Sequence, residues 1–384
     1  MKLRNINSIH YFSFARSDFH IMEPMLKKIS LTKKIKVNIV ITGTHGKGKS
    51  GNIKKFKSIN YSYINIKYSK NDSPKSILKI STSVIMKMSN FLIKEKPEVI
   101  LLLGDRSETF LTAYCATILQ IPIIHFHGGE LSSGSYDDSF RHSISKMSYW
   151  HFVATENSKR RLIQLGEDKK NIFNIGSLVS QNLKLIDYTS ITNIEKKFNF
   201  KIKKKFSIMT YHPTTLNPAA DIKIALNIIT SLTKQKIFTI ITSSNADANS
   251  LRITKFIKRK IIKDKNFIFI ENLGSKNYLS LLKKSSFLIG NSSSGIIEAP
   301  LYFKPSITVG DRQKNREKSQ LVFESDGSIK SINSCIKRAM KKTSKKYTPY
   351  YKYRSIDNCI KNLLKIMLPE NLIKNFKDQK NKFL

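Results

Sequence analysis

LLLGDRSETFLTAYCATILQIPIIHFHGGELSSGSYDDSFRH, residues 101–142, decides the fold. The stretch belongs to a wholly apolar strand, Val99 to Leu103, that stops at Gly104-Asp105. A helix-patterned segment follows, with Phe110, Leu111, Tyr114, Cys115, Ile118 and Leu119 on one face. A second apolar strand, Ile121 to Phe126, ends in Gly128-Gly129-Glu130. Then comes an acidic pair, Asp137-Asp138, with Arg141 and His142 just behind it. Open parallel sheets build active sites in this way: polar groups at the carboxyl ends of strands face a crevice, and the apolar strands behind them fix their positions. The competing reading is that Asp105 and Glu130 only cap the helices that follow them.

The flanking sequence keeps the same rhythm. Residues 5–14 read as a first strand ending at Ala15-Arg16-Ser17-Asp18, and Phe19 to Ile29 as a helix with Pro24 in its first turn. An arginine at that place, Arg16, suits an anion at a helix N-terminus, or else a surface salt bridge. Lys36 to Thr42 is the next strand. Gly43 to Ser50 then satisfies the phosphate-loop pattern G-x-x-x-x-G-K-[ST] letter for letter. Such a loop must open a substantial helix, yet Gly51-Asn52 and a short lysine-loaded stretch lead instead to an alternating strand, Tyr61 to Tyr68. A helix over 76–95 stops at Pro97. Beyond residue 142 the chain reads strand (His151 to Thr155), helix (Glu156 to Leu165) and strand (Asn171 to Gly176). This βαβ repetition predicts a parallel sheet covered on both faces.

From Ser180 to Lys205 the pattern weakens and charge thickens, which places a junction over 181–205. A first domain therefore spans 1–180 and carries the carboxylates. A second spans 206–345, and 346–384 supply closing helices. The second half repeats the rhythm, with strands at Phe206 to Thr210, Ile237 to Thr242, Phe267 to Glu271, Phe287 to Gly290 and Ile307 to Val309. Helices are expected at 219–235, 247–262 and 276–285. Ser292, Ser293, Ser294 and Gly295 lie between an apolar strand and a helix start, where small residues let a phosphate reach free N–H groups. Glu298, one turn in, suits the hydroxyls of a ribose. An unliganded serine N-cap is the alternative. His212, at a strand end before Pro213, and Arg312, after another strand, complete the candidates of this half.

Composition sets the outer limits. A chain of 384 residues with 40% apolar content is long enough for two ordinary domains. The formal charge of +41 would draw polyanions, but its lysines are scattered from end to end, which reads as a solvated surface rather than a nucleic-acid footprint. Three cysteines without paired spacing, no long apolar run and no leader-like N-terminus point to a reducing, cytoplasmic setting without membrane contact. His125 and His127 are two apart on one strand, with Glu130 close. Without CxxC or HExxH no metal is expected, nor any cofactor.

Taken together, ARSDF near residue 16, GDRSE at 104–108, HFHGGELSSGSYDDSFRHSISKMS at 125–148, YHPTT at 211–215, GNSSSGIIEAP at 290–300 and GDRQKNRE at 310–317 resemble the hydrolysing UDP-N-acetylglucosamine 2-epimerases of the sialic-acid and legionaminic-acid branch. The resemblance covers nearly the whole chain. It implies an α/β fold of two Rossmann-like, doubly wound domains facing a cleft (GT-B-like), and a homodimer. It also implies conversion of UDP-N-acetylglucosamine to N-acetylmannosamine and UDP, by elimination to a 2-acetamidoglucal and rehydration. The same chemistry on UDP-2,4-diacetamido-2,4,6-trideoxyglucose is the alternative substrate. By motif, acid–base roles fall on Asp105, Glu130 and one of Asp137 or Asp138. Arg16, Arg141, His212 and Ser292 to Ser294 would hold the diphosphate and Glu298 the ribose. A glycosyltransferase of the same architecture, a phosphate-loop nucleotide protein and a basic nucleic-acid binder are the competing classes.

Overall fold

The computed structural model describes residues 4–46, 55–68, 73–132, 136–185, 188–214, 218–244, 250–341 and 348–379. Lys47 to Ser50, the lysine-bearing end of the phosphate-loop pattern, lie outside the described residues; Gly43–Gly46 form a single 3-10 turn. The chain folds as two compact units. One comprises Met1–Glu130, Asp137–Asn182 and Lys352–Leu384, and the other Leu131–Tyr136 and Leu183–Tyr351.

In the first unit β1 (Arg4–Asn5), β2 (Ser8–Ser13), α1 (Arg16–Ser30), β3 (Lys36–Ile41), β4 (Ile59–Tyr63), α2 (Pro74–Glu95) and β5 (Ile100–Leu103) come first. They are followed by α3 (Ser107–Ile118), β6 (Ile123–Phe126), α4 (Asp137–Met147), β7 (Trp150–Val153), α5 (Glu156–Gln164), β8 (Ile172–Asn174) and α6 (Val179–Leu185). Among the described residues the strands form a seven-stranded sheet in the order β4-β3-β2-β5-β6-β7-β8, every neighbouring pair parallel. Such sheets are covered on both faces, so their strands read as unbroken apolar runs. β5 and β6 are buried at every position. One face packs Ile9, Tyr11, Ile39, Leu101 and Phe126 against Met22, Leu26 and Ile29 of α1. The other packs Phe12, Val40, Leu102 and Ile123 against Val84, Met88 and Leu92 of α2.

Two sequence expectations need correction here. Pro24 sits in the interior of α1 rather than in its first turn, because the helix begins at Arg16. Pro24 has no N–H to donate within the helix, a cost met by the buried apolar stripe on either side. In α3 the buried positions are Thr109, Thr112, Ala113, Cys115 and Ala116, whereas Tyr114 and Ile118 are exposed. Small residues and threonines face inward because α3 is flanked by α2 and α4, and close helix approach favours small side chains over large ones.

The second unit runs α7 (Ile191–Phe198), β9 (Ser207–Thr210), α8 (Pro218–Lys234), β10 (Thr239–Thr242), α9 (Ser250–Ile261), β11 (Phe267–Ile270), α10 (Ser275–Lys284) and β12 (Phe287–Gly290). Then come α11 (Glu298–Leu301), β13 (Ser306–Val309), β14 (Val322–Ser325) and α12 (Ile329–Lys341). Among the described residues its strands form a six-stranded sheet, again all parallel, ordered β11-β10-β9-β12-β13-β14. Neither β14 nor α12 was expected from the sequence pattern. The chain crosses into this unit between Asn182 and Leu183, so α7 belongs to it.

The last described residues return to the first unit. α13 (Ser355–Leu363) adds Ile356, Cys359, Ile360 and Leu363 to the α1 side of the core, and β15 (Met367–Leu368) pairs antiparallel with β1. Further on, Lys374 Nζ reaches the buried Glu167 at 2.6 Å, beside His151 Nε2 and Lys146 Nζ, each at 2.9 Å. Burial alone would raise the Glu167 carboxyl; the His151 hydrogen bond and the Lys374 ammonium bring it below its ordinary 4.5. Burial likewise holds His151 and His125 below the ordinary 6.5, His125 at about 3.

The sign follows from linkage. Groups whose folded values are depressed contribute stability that is full above the unfolded value and lost as pH falls. The melting temperature should therefore decline as pH drops below 6.5, through the two histidines, and decline further below 4.5, where Glu167 joins them. Calorimetry across that range checks it. Glu167→Gln should flatten the part below 4.5, while depressing His151 further because it loses the carboxylate that raises it, and a constant melting temperature across the range would contradict the assignment.

Candidate functional site

In an open parallel sheet the ligand crevice lies outside the carboxyl ends of the strands where the strand order reverses. In the first unit that point is between β2 and β5, because successive strands run outward from β2 on one side and from β5 on the other. The first turn of α1, directly after β2, carries Asp18 and the exposed Arg16; the loop after β5 carries Asp105 and Arg106. Arg106 Nε donates to Asp18 Oδ2 at 2.9 Å, tying the two segments together across the reversal.

Asp105 does not cap α3. The N-cap of that helix is Arg106, which makes no side-chain cap bond. Instead the Asp105 carboxylate pairs with Arg141 Nη2 from α4. Arg141 is 2% exposed, and its Nη1 also donates to the His127 carbonyl at 3.2 Å. A guanidinium so enclosed is the counter-ion of Asp105, which is a different use from the diphosphate contact that the motif implied. Glu130, 3% exposed, accepts from His127 Nδ1 at 2.8 Å. The two carboxylates, one arginine and one imidazole thus form a continuous chain: Asp105, Arg141, His127, Glu130. Asp137 and Asp138 open α4 one turn before Arg141, and Asp138 faces His142 Nε2 at 3.6 Å.

Glycine makes this geometry possible. At Gly129, φ is +72° and an added Cβ would lie 2.3 Å from the Ser158 carbonyl oxygen, so no other residue lets the chain turn back toward Glu130. His125 and His127 do not converge. His125 Nε2 donates to the Gly104 carbonyl at 2.8 Å and its Nδ1 meets Ser145 Oγ at 3.0 Å, whereas His127 turns to Glu130. No group of three or more metal-ligating side chains exists among the described residues.

The second unit repeats the arrangement at its own reversal, between β9 and β12. His212 follows β9 and Asn291 follows β12. The buried Asn291 side chain accepts from the His212 N–H at 2.6 Å and donates to its carbonyl at 2.7 Å, so one amide locks both loops. Arg312 Nη1 donates to the Asn291 carbonyl at 3.2 Å and Gln313 Nε2 does so at 3.1 Å. Gly290 permits the close pairing: its φ is +138° and a Cβ would fall 1.9 Å from the Thr210 oxygen.

The serine turn differs from expectation. Ser293–Gly295 form a single 3-10 turn, and Glu298 is the first residue of the four-residue α11 rather than one turn into a longer helix. Pro300 has no N–H to return to the Ile296 carbonyl, so a continuous helix from the serines cannot form. Ser292 accepts from the Ser294 N–H at 3.3 Å, and Tyr278 donates to Ser294 Oγ at 2.8 Å.

The sequence pattern offered His127 only as half of a possible metal pair with His125, and it gave no role to two other residues that organise these loops, Asn291 and Asp221. Asp221 is 1% exposed and accepts from Tyr211 Oη at 3.0 Å and from the Thr214 N–H at 2.7 Å, which fixes the segment on either side of His212. Burial raises its carboxyl above the ordinary value against those bonds. An acidic residue in the first turn of α8 was the one available signal.

Comparison with known proteins gives a consistent result. Residues 27–364 match the family described as UDP-N-acetylglucosamine 2-epimerase. The GDP/UDP-N,N'-diacetylbacillosamine 2-epimerase (hydrolyzing) of Campylobacter jejuni is 36% identical over 323 residues, 82% of this chain and 83% of that protein. The UDP-N,N'-diacetylbacillosamine 2-epimerase (hydrolyzing) of Legionella pneumophila is 32% identical, covering 90% and 92%. Among solved structures, the UDP-GlcNAc 2-epimerase of Neisseria meningitidis bound to UDP-GlcNAc superposes with a TM-score of 0.75 at 20% identity, over 94% of this chain and all of that one.

Proposed function

We infer, since this chain belongs to the UDP-N-acetylglucosamine 2-epimerase family, that it is a hydrolysing 2-epimerase of a UDP-2-acetamido sugar. The observation that carries this reading is the connected set Asp105–Arg141–His127–Glu130, half-buried at Asp105 and buried at the other three, beside the sheet reversal of the first unit. The reaction removes a proton from carbon 2 of the sugar. The C–H electron pair becomes the double bond to carbon 1, and UDP leaves with the electrons of the glycosidic bond. Water then adds across that double bond, hydroxyl to carbon 1 and a proton to the opposite face of carbon 2. Proton removal from an unactivated carbon calls for positioned carboxylates, and departure of a diphosphate calls for preorganised donors.

In this proposal Asp105 and Glu130 carry the acid–base steps, with Asp137 or Asp138 as a third carboxylate. The second unit supplies the nucleotide contacts: His212, Ser292 to Ser294 and Gly295 for the diphosphate, Glu298 for the ribose, and Arg312 through the Asn291 carbonyl it supports. Arg16 adds a cation. Arg141 is reassigned from the diphosphate to Asp105. No metal or cofactor enters these steps.

Of the two substrates, the 2,4-diacetamido-2,4,6-trideoxy sugar is favoured, because it is the sugar named for both relatives above, N,N'-diacetylbacillosamine being its common name. Incubation of each UDP-sugar in deuterium oxide without any acceptor tests the proposal. The expected products are UDP and a free 2-epimerised sugar with one deuterium at carbon 2, formed faster from the diacetamido substrate. Release of UDP from neither sugar would defeat the reading. Release that requires an acceptor alcohol would replace it with glycosyl transfer.

A further inference from the structure

His127 is held in a way that neither strand geometry nor packing demands. It follows β6 with φ of +62°, the left-handed region that a non-glycine residue rarely occupies. Both of its backbone groups are used: the N–H donates to the Phe152 carbonyl at 2.9 Å, and the carbonyl accepts from Arg141. The ring is buried, with Nδ1 on Glu130 and Nε2 without a hydrogen-bond partner among the described residues. A strained backbone and a buried polar atom without a partner each cost stability, and such features cluster at functional positions. Next to it, Gly128 leaves no room for a side chain, since a Cβ would lie 2.7 Å from Ser145 Oγ and 2.9 Å from His125 Nδ1. The turn that carries this imidazole is therefore packed tightly on its Gly128 side against Ser145 and His125.

The groups around the pair come from every neighbouring element. Asp105 follows β5, Arg141 and His142 stand on α4 behind Asp137 and Asp138, and Arg161 of α5 donates to the Gly129 carbonyl at 2.8 Å. His125 on β6 lies opposite His151 on β7 in the sheet register. Both are buried neutral imidazoles. A carboxylate oxygen accepts, so the His127 nitrogen facing Glu130, Nδ1, is the one that carries the N–H.

We propose that His127 is a positioning residue that holds Glu130 as an oriented carboxylate, ready to accept a proton, while its own backbone carbonyl ties that carboxylate to the Arg141–Asp105 pair. This rests on the acid–base role given to Glu130 above. An N–H donor favours the ionised form of a carboxylate over the protonated form. Removing it should leave Glu130 protonated to higher pH.

Two substitutions suit the left-handed backbone. In His127→Asn the amide nitrogen is the same number of bonds from the backbone as His Nδ1, so the donor is kept. His127→Gly relieves the strain but removes the donor. The rate of UDP release by each is measured across pH, with melting temperatures to fix the folded fraction. The expected result is an acid limb displaced to higher pH in His127→Gly, each unit of displacement costing about tenfold in rate on that limb, and restored toward the unaltered position in His127→Asn.

A profile of unchanged shape in His127→Gly, merely lowered at every pH, would overturn the proposal, as would an asparagine variant no closer to the parent than the glycine one. A second readout needs no variant. Nitrogen NMR of the parent should show His127 as the Nδ1–H tautomer and His125 as the Nε2–H tautomer, and an Nε2–H tautomer at His127 would also overturn it. If the parent releases no UDP, the enzymatic reading itself has failed. An active parent with an unshifted glycine variant removes only the role of His127.

Discussion

Asp105→Asn and Glu130→Gln should each lower turnover by ~10²-fold or more while leaving UDP affinity close to that of the parent. Both exchanges keep shape and remove a proton acceptor. The residues given to the nucleotide belong to the other unit, where Asn291 and Asp221 fix the loops independently of either carboxylate. Steady-state UDP release measures the first quantity and calorimetric titration with UDP the second. The two variants should still differ in stability. Asp105→Asn deprives the enclosed Arg141 of its counter-ion, whereas Glu130→Gln keeps an amide oxygen that can still accept from His127 Nδ1. A lower melting temperature in the aspartate variant alone is therefore expected. Near-parental turnover in both would remove the acid–base assignment.

The largest stability effect should come from Arg141→Leu. Breaking a buried ion pair from one side costs on the order of 3 kcal/mol, because the remaining charge keeps its desolvation penalty. Asp105 keeps some access to solvent, with 23% of its side chain exposed, so the loss should fall at the lower end of what enclosed pairs show. The loss of the bond to the His127 carbonyl adds to it. The double variant Asp105→Leu/Arg141→Leu separates the two roles of the pair. It should recover much of the stability lost in Arg141→Leu, since two apolar side chains leave no unpaired charge, yet show no turnover. Urea unfolding of the parent, Asp105→Leu, Arg141→Leu and the double variant gives the coupling. A double variant no more stable than Arg141→Leu would mean that the arginine acts on the fold through something other than Asp105.

Much of this architecture was legible before any coordinates, for a physical reason. Parallel strands buried on both faces write continuous apolar runs, and the runs at 100–103, 123–126 and 287–290 end where their polar residues begin. Reading failed where tertiary context overrode local pattern. The apolar residues of α3 suggested a face holding Tyr114 and Ile118, but its position between two helices selected Thr112, Ala113 and Ala116 for burial. In the site, Asp105, Glu130 and Arg141 could be named from the sequence. The pairing of Asp105 with Arg141 could not, because residues 36 positions apart in the chain meet only through strand order. His127 was visible merely as half of a His-x-His pair. Its function depends on a positive φ that no side-chain pattern encodes.

The first unit is closed by residues that come after the whole of the second. β1 finds its partner at Met367 and Leu368, and Glu167 finds one of its cations at Lys374. During synthesis on a ribosome, residues 183–351 thus leave the exit tunnel with all their sheet partners already made, while the earlier-born unit still waits for its final segment. The unit encoded later is the one able to finish first, and the carboxylate-bearing half passes through a period in which Glu167 and the α1 side of its core are incompletely covered.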